Sequence, residues 1–264
     1  MAALSDWLAG IAGYLYDIVL FFVDRLPLYL EGAYYTLVIT LGGCALAFVL
    51  AMIVGVIGST DNPVGRVVAN VYVEFFRGVA ALVLMFWLFY GLPNVTPYQL
   101  APVFAAILAL GLNVGAYGAE NVRGAIKAVP KAQYEATVAL NLRWFQRMRL
   151  VILPQAWAQM LPTFGNLVIE LMKGSAVVAL IAISDLTFVA RQQSSASGQT
   201  LAAFASALVM YFVIAQTLQL GVRVLERRAN RKLGRLPARG RSPRPPRSPR
   251  SPRSPKVRAV GGVR

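Results

Sequence analysis

Three acid/base pairs carry the chemistry that this chain could perform. Glu74/Arg77, Glu120/Arg123 and Glu170/Lys173 each stand three residues apart, which puts both members on one helix face where each offsets its partner's charge. At the centre of a membrane span such a group costs about 2.5–3.5 kcal/mol, so it marks a solute path or a helix contact by default. A lining with both signs suits a zwitterion, which carries a carboxylate and a cationic centre. Glu74/Arg77 and Glu170/Lys173 fit that role and the role of helix glue equally well. Glu120/Arg123, near the inner end of a span, reads as glue. Asn113, Tyr117 and Ser175 are further polar candidates for the path. Enzymatic chemistry has little to work with. With no His and one Cys, Cys44, a His-based triad, a Cys/His zinc site and an internal disulfide are excluded. No glycine-rich phosphate loop ending in Gly-Lys-Ser/Thr occurs, so ATP is not bound here by that route.

The elements that must position these residues are membrane helices. Apolar side chains make up 57% of the 264 residues and charged ones only 14%, against about a quarter charged in soluble domains. The net charge of +15 divides unevenly. Residues 223–264 hold +14 of it and residues 1–222 only +1. The body is a nearly neutral membrane protein and the tail alone is basic.

A crossing needs about 20 apolar residues. Gly32 to Thr60 is one charge-free stretch. Gly78 to Ala119 is too long for one helix and is interrupted near Gly91, Pro93 and Pro97, which predicts a hairpin of two spans. Leu150 to Ile169, extending toward Ser184, and Thr200 to Val222 complete about five spans. Residues 1–24 hold three acids and no Lys or Arg, with an aromatic-rich segment at 7–23 that reads as an interfacial helix. Arg66 follows the first span, and six basic residues against one acid fill 123–149. The positive-inside rule then places these two loops and the tail in the cytoplasm and the N-terminus outside. Gly111-x-x-x-Gly115 matches the pattern for close helix approach and reads as packing.

The loop between the third and fourth spans is the most informative segment. Pro130 suits a helix start, and Tyr134, Val138 and Leu142 fall on one face. Asn141 tolerates the left-handed conformation that ends a helix. A second amphipathic piece at Trp144, Phe145 and Met148 follows, before Leu153-Pro154 restarts the chain into the membrane. Two short surface helices would present a knob suited to docking a partner, or simply to resting on phospholipid.

Glu135-Ala136, Leu140-Asn141 and Ile152-Leu153-Pro154 resemble the EAA loop of membrane subunits of binding-protein-dependent ABC importers. Glu74-Phe-Phe-Arg-Gly78, Gly91-Leu-Pro93, Gly124-Ala-Ile-Lys-Ala-Val-Pro130, Leu153-Pro-Gln-Ala156, Leu161-Pro162 and Gly165-Asn166 are similar to the polar amino acid type within that superfamily. The likeness covers roughly residues 28–226. Ala81-Leu-Val-Leu-Met-Phe-Trp-Leu88 and Lys173 through Phe188 look most like permeases for ectoine and hydroxyectoine. Two positions depart from the pattern: Asn141 stands where Gly is usual, and Val79-Ala80 where many relatives have Thr-Pro.

The resemblance implies an all-α permease, not an enzyme, in the bacterial inner membrane. It has an extracytoplasmic or interfacial segment at 1–27, a permease domain at 28–226 and a cytoplasmic tail at 227–264. It implies that Glu135, Ala136, Ala139, Leu140, Asn141, Leu153 and Pro154 couple to a separate ATPase, which holds ATP and Mg; no cofactor or metal is expected on this chain. The other expected partners are a second permease chain, an extracytoplasmic solute-binding protein and membrane lipid. The Pro/Arg/Ser tail, outside the resemblance, lacks apolar content for a core and aromatics for base stacking, so anionic lipid is expected there and nucleic acid is not. Two rivals remain at this stage, a stand-alone carrier or channel and a membrane scaffold acting through its tail.

Overall fold

The structure, a computed structural model, describes Gly13 and residues 16–232, with side chains through Ala229. The expectations for most of the first 15 residues and for the tail beyond Lys232 fall outside the described residues. Every regular element among them is helical. After a helical stretch at 16–24 come α1 (Leu26–Gly58), α2 (Pro63–Gly78), α3 (Ala81–Val95), α4 (Pro102–Lys127), α5 (Lys131–Ala139), α6 (Trp144–Ile181), α7 (Leu186–Ser197) and α8 (Thr200–Lys232). By length and composition α1, α4, α6 and α8 can each cross a membrane, and α2 with α3, counted as one bent span, brings the number to five. The expected number of spans holds.

The core is a seam between α1 and α4 made by small residues. Gly55 lies against Val122 and the Ala119 carbonyl, Gly118 against Ala51, and Gly111 against Leu46. Without a hydrophobic drive between helices in lipid, such close backbone approach supplies the dispersion contact that holds them together. Gly115 sits 3.4 Å, measured from an ideal Cβ, from the Ala47 Cα, so the Gly111/Gly115 pattern does serve packing. Large apolar side chains of α1 and α8, among them Leu41, Phe48, Ile53, Leu208 and Phe212, are exposed and form the lipid-facing surface.

The second crossing begins earlier than the sequence predicts. Its helix starts at Pro63, capped by Asn62, whose side chain accepts from the Val64 N–H at 3.1 Å. It then bends through 96° at Val79-Ala80. Both residues are extended, with ψ of 131° and 129°. A bend of that size frees carbonyls in a medium that offers no water. Asn113 of α4 satisfies them: its Nδ2 donates to the Phe76 carbonyl at 2.7 Å and to the Val79 carbonyl at 3.1 Å.

The fourth crossing also differs. Trp144–Arg147 is not a separate surface helix but the start of α6. Pro154 has no N–H and its ring crowds the carbonyl four residues back. The helix answers by widening to a π turn at Met148–Ile152, a standard way to absorb one misfit without ending the helix. Farther on, the last part of α6 tightens to a 3-10 turn over Ser175–Ile181, and Ala182 ends it at φ 59°.

Three substitutions probe these contacts. Gly55→Ala places a Cβ 2.6 Å from that of Val122 and should lower the melting temperature in detergent by an amount equivalent to about 1–3 kcal/mol. Gly221→Ala, inside α8 with nothing within 4 Å, should not lower it and should raise it slightly, by an amount equivalent to about 0.5–1 kcal/mol. Asn113→Leu should destabilise by about 1–3 kcal/mol for each carbonyl left without a donor, measured by the same melt.

Candidate translocation face and coupling loop

The loop between α4 and α6 is a braced knob. Within α5, Thr137 is buried and Tyr134 half-buried. The Tyr134 hydroxyl donates to the Ile126 carbonyl at 3.4 Å, and Gln155 on α6 donates to Gln133 at 3.2 Å. Met148, Ile152 and Ala156 of α6 pack with Val122, Ala125, Ile126 and Val129 of the α4 end. Burial holds the Tyr134 phenol above its ordinary pKa, with the charge of Arg147 opposing the rise. α5 ends as its sequence demands. Asn141 has φ 51°, its N–H reaches the Val138 carbonyl and the Leu142 N–H reaches that of Thr137, a left-handed cap that Asn can adopt where Gly is usual.

The outward face of α5 is Glu135, Ala136, Val138, Ala139 and Leu140, all exposed. Leu153 is half-buried and Pro154 exposed at the foot of α6. Leu140 is 71% and Val138 59% exposed. Val138 therefore does not share the packed face expected for it. The packed positions are Tyr134 and Thr137, three apart, and the polar type of Thr137 hid it from a reading of apolar spacing. An exposed strip of small and apolar residues around one acid is a surface made to be covered.

The three charge pairs part ways. Glu120 and Arg123 close an ion pair at 2.7 Å, and Arg123 also donates to the Asn70 side chain at 2.7 Å, tying α4 to α2. That pair is glue. Glu74 and Arg77 form no ion pair among the described residues. Arg77 instead lies over the Tyr117 ring, 5.1 Å from its centroid, a contact worth about 0.5–1 kcal/mol where exposed. Glu170 and Lys173 are exposed and likewise unpaired among the described residues. They continue an exposed row along α6 that includes Gln159, Thr163 and Asn166, three or four residues apart and so on one face.

The remaining candidates sit elsewhere. Asn113 has its amide committed to the α2/α3 bend. Ser175 is fully buried, its hydroxyl donating to the Met172 carbonyl at 2.8 Å. Lys173 borders a cavity of about 260 Å³ with Met172, Ala176, Tyr211, Phe212 and Ala215. No described cavity brings Glu74/Arg77 and Glu170/Lys173 together. A second cavity, about 290 Å³ between α1, α4 and α6, is lined by Cys44, Phe48, Phe164 and other apolar side chains and offers nothing to a polar solute.

Sequence reasoning missed Asp185. It is fully buried and caps α7, accepting from the Phe188 N–H at 2.9 Å and from the Tyr211 hydroxyl at 3.0 Å. Burial raises its pKa, and these two donors hold it down. The Leu186 N–H adds a bond to Thr36 of α1 at 3.4 Å, so this corner locks α1, α7 and α8 together. The signal was present: an Asp immediately before an apolar helical residue is a helix start.

The family of binding-protein-dependent transport system inner membrane components matches residues 43–231. A probable amino-acid ABC transporter permease of Sinorhizobium fredii is 40% identical over 209 residues, covering 77% of this chain and 88% of the relative. The L-cystine transport system permease TcyB of Bacillus subtilis is 34% identical, covering 78% and 88%. The glutamine transport system permease GlnP of Escherichia coli is 32% identical, covering 77% and 93%. A solved amino acid ABC transporter with histidines superposes with a TM-score of 0.71 at 30% identity, over 78% of this chain and 96% of that one. The inward-facing MetNI methionine ABC transporter, at 21% identity and a TM-score of 0.68, shares the fold. A multi-pass helical bundle without a phosphate loop, matched from its first crossing through its last, belongs to this family: the chain is an inner-membrane permease subunit of a binding-protein-dependent ABC importer of the polar amino acid type, and ATP hydrolysis belongs to a separate chain.

Proposed function

We propose that this subunit passes a polar amino acid or amino-acid-derived compatible solute inward along the exposed face of α6, with ectoine and hydroxyectoine favoured by the segments 81–88 and 173–188. The observation that supports this most is the row Gln159, Thr163, Asn166, Glu170 and Lys173. Five polar positions on one face of a crossing helix cannot be left to hydrocarbon, where each ionised group costs about 2.5–3.5 kcal/mol or more. They face a second permease chain across a hydrated path, and the two bundles rock about it. Glu74 and Arg77 border the same path from α2.

The outward strip of α5, Glu135 to Leu140, receives the ATPase, which holds ATP and Mg, and an extracytoplasmic binding protein delivers the solute. In this orientation the N-terminus is outside and the basic tail lies in the cytoplasm against anionic lipid, which attracts about 1 kcal/mol per basic residue near its surface.

Proteoliposomes containing the permease with its ATPase and binding protein test the scheme. Glu135→Arg should reduce ATPase association and ATP-dependent uptake about tenfold or more, since a reversed charge in an interface costs several kcal/mol. Unchanged association would remove the coupling assignment. Glu170→Gln should lower uptake by about tenfold with ATPase association intact, because a hydrogen bond to a charged group contributes about 1.5–3 kcal/mol. Deletion of residues 237–264 should leave uptake in place.

A further inference from the structure

Toward the C-terminal end of α8 a second, smaller polar groove separates it from α6. Gly165 and Asn166 form one wall, and Gln219, Val222, Arg223 and Glu226 the other, around about 230 Å³. Gly165 makes the groove possible. It is in close contact with Val222, and a Cβ there would also stand 3.6 Å from the Glu226 Oε1. The missing side chain lets α8 approach α6 at Val222; beside that contact the Glu226 side chain is half-buried, while Arg223 stays exposed one turn earlier. A pair three residues apart on a helix is within reach of closing on itself. This one does not: no ion pair joins Arg223 to Glu226, or either to another group, among the described residues. A separated cation and anion, with two side-chain amides lining the same groove, is a complement to a ligand that carries both charges.

We propose that this groove binds a small zwitterion, its oxyanion on Arg223 and its ammonium on Glu226, with Asn166 and Gln219 supplying neutral hydrogen bonds. The space is below the 300–1,000 Å³ typical of drug-sized ligands, so the ligand is of amino acid or headgroup size. Two sources share that chemistry, a free amino acid at the inner end of the path and the headgroup of phosphatidylethanolamine. Asn166 belongs both to the groove and to the polar row of α6, which places the site in line with the route taken by the solute. The assignment to the cytoplasmic end rests on the orientation given under Proposed function.

The test uses the full chain alone in phosphatidylcholine nanodiscs, so that it does not depend on the ATPase. Binding of L-glutamine is measured by thermophoresis, and retention of phosphatidylethanolamine over phosphatidylcholine by native mass spectrometry. Binding of either probe, weakened about tenfold or more in Arg223→Gln and in Glu226→Gln and unchanged in Arg191→Gln on the exposed face of α7, supports the site, and the probe that binds names the source. The double swap Arg223→Glu with Glu226→Arg keeps both charges in the groove and should recover binding, which separates loss of charge from loss of fold. If neither probe binds, or if the Arg223 and Glu226 variants bind like the parent, the proposal is overturned while the uptake predictions stand. Failure of ATP-dependent uptake with this binding retained strikes the transport scheme and not the groove.

Discussion

Backbone groups freed inside a membrane have no water to turn to, and this bundle is organised around meeting that demand at each break in a helix. At Val79-Ala80 the answer is a side chain from another helix, since Asn113 takes two carbonyls of the α2/α3 bend. At Pro154 the answer is local, a π turn that keeps α6 continuous. At Ala182 the chain leaves α6 in the left-handed region, and Asp185 caps the helix that follows. At Val79-Ala80 and after Ala182 the solution ties the break to a fixed neighbour, so those two bends are rigid corners. The small-residue seam between α1 and α4 supplies the frame against which they are held.

The same shortage of water explains why the charges divide as they do. Glu120 and Arg123 neutralise each other and reach Asn70, so they are compatible with a protein interior. Glu170 and Lys173 remain open on the surface of a single chain. Open charges on a crossing helix are stable only where water or a partner's polar groups meet them. The apolar cavity beside Cys44 shows the contrast, because nothing in its lining could replace the hydration of a polar solute.

Much of this was legible in the sequence, and the exceptions have physical causes. The spans followed from apolar length, the left-handed turn at Asn141 from its residue type, and the packing role of Gly111 and Gly115 from their spacing. The bend at Val79-Ala80 was hidden because neither residue breaks a helix by itself. It depends on Asn113, more than thirty residues away, and no local signal reports a bond across that distance. The fusion of Trp144 with the fourth crossing was hidden because Pro154 reads as a start, whereas widening to a π turn is equally open to a helix whose ends are both anchored. Pairing of the charges was beyond reach for a similar reason: spacing three residues apart permits an ion pair, but tertiary neighbours such as Tyr117 and Asn70 decide whether it closes. Asp185 was legible as a cap from its place before an apolar helical residue, but its bond to Tyr211, 26 residues away, has no local signal.

In the coupling scheme proposed above, the continuity of α6 governs how force reaches the middle of the bilayer. From Trp144 beside the knob to Lys173 the chain is one uninterrupted rod, about 45 Å long at 1.5 Å per residue. Two helices meeting at a loose joint would let a push at the foot dissipate in the joint. A single beam swings as a whole, so a small tilt at its base becomes a displacement of Glu170 and Lys173 in proportion to their height above the pivot. The widened turn at Met148–Ile152 and Pro162 inside the helix are then the two points at which that beam bends most easily, and in the proposed scheme their stiffness sets how much of the stroke arrives.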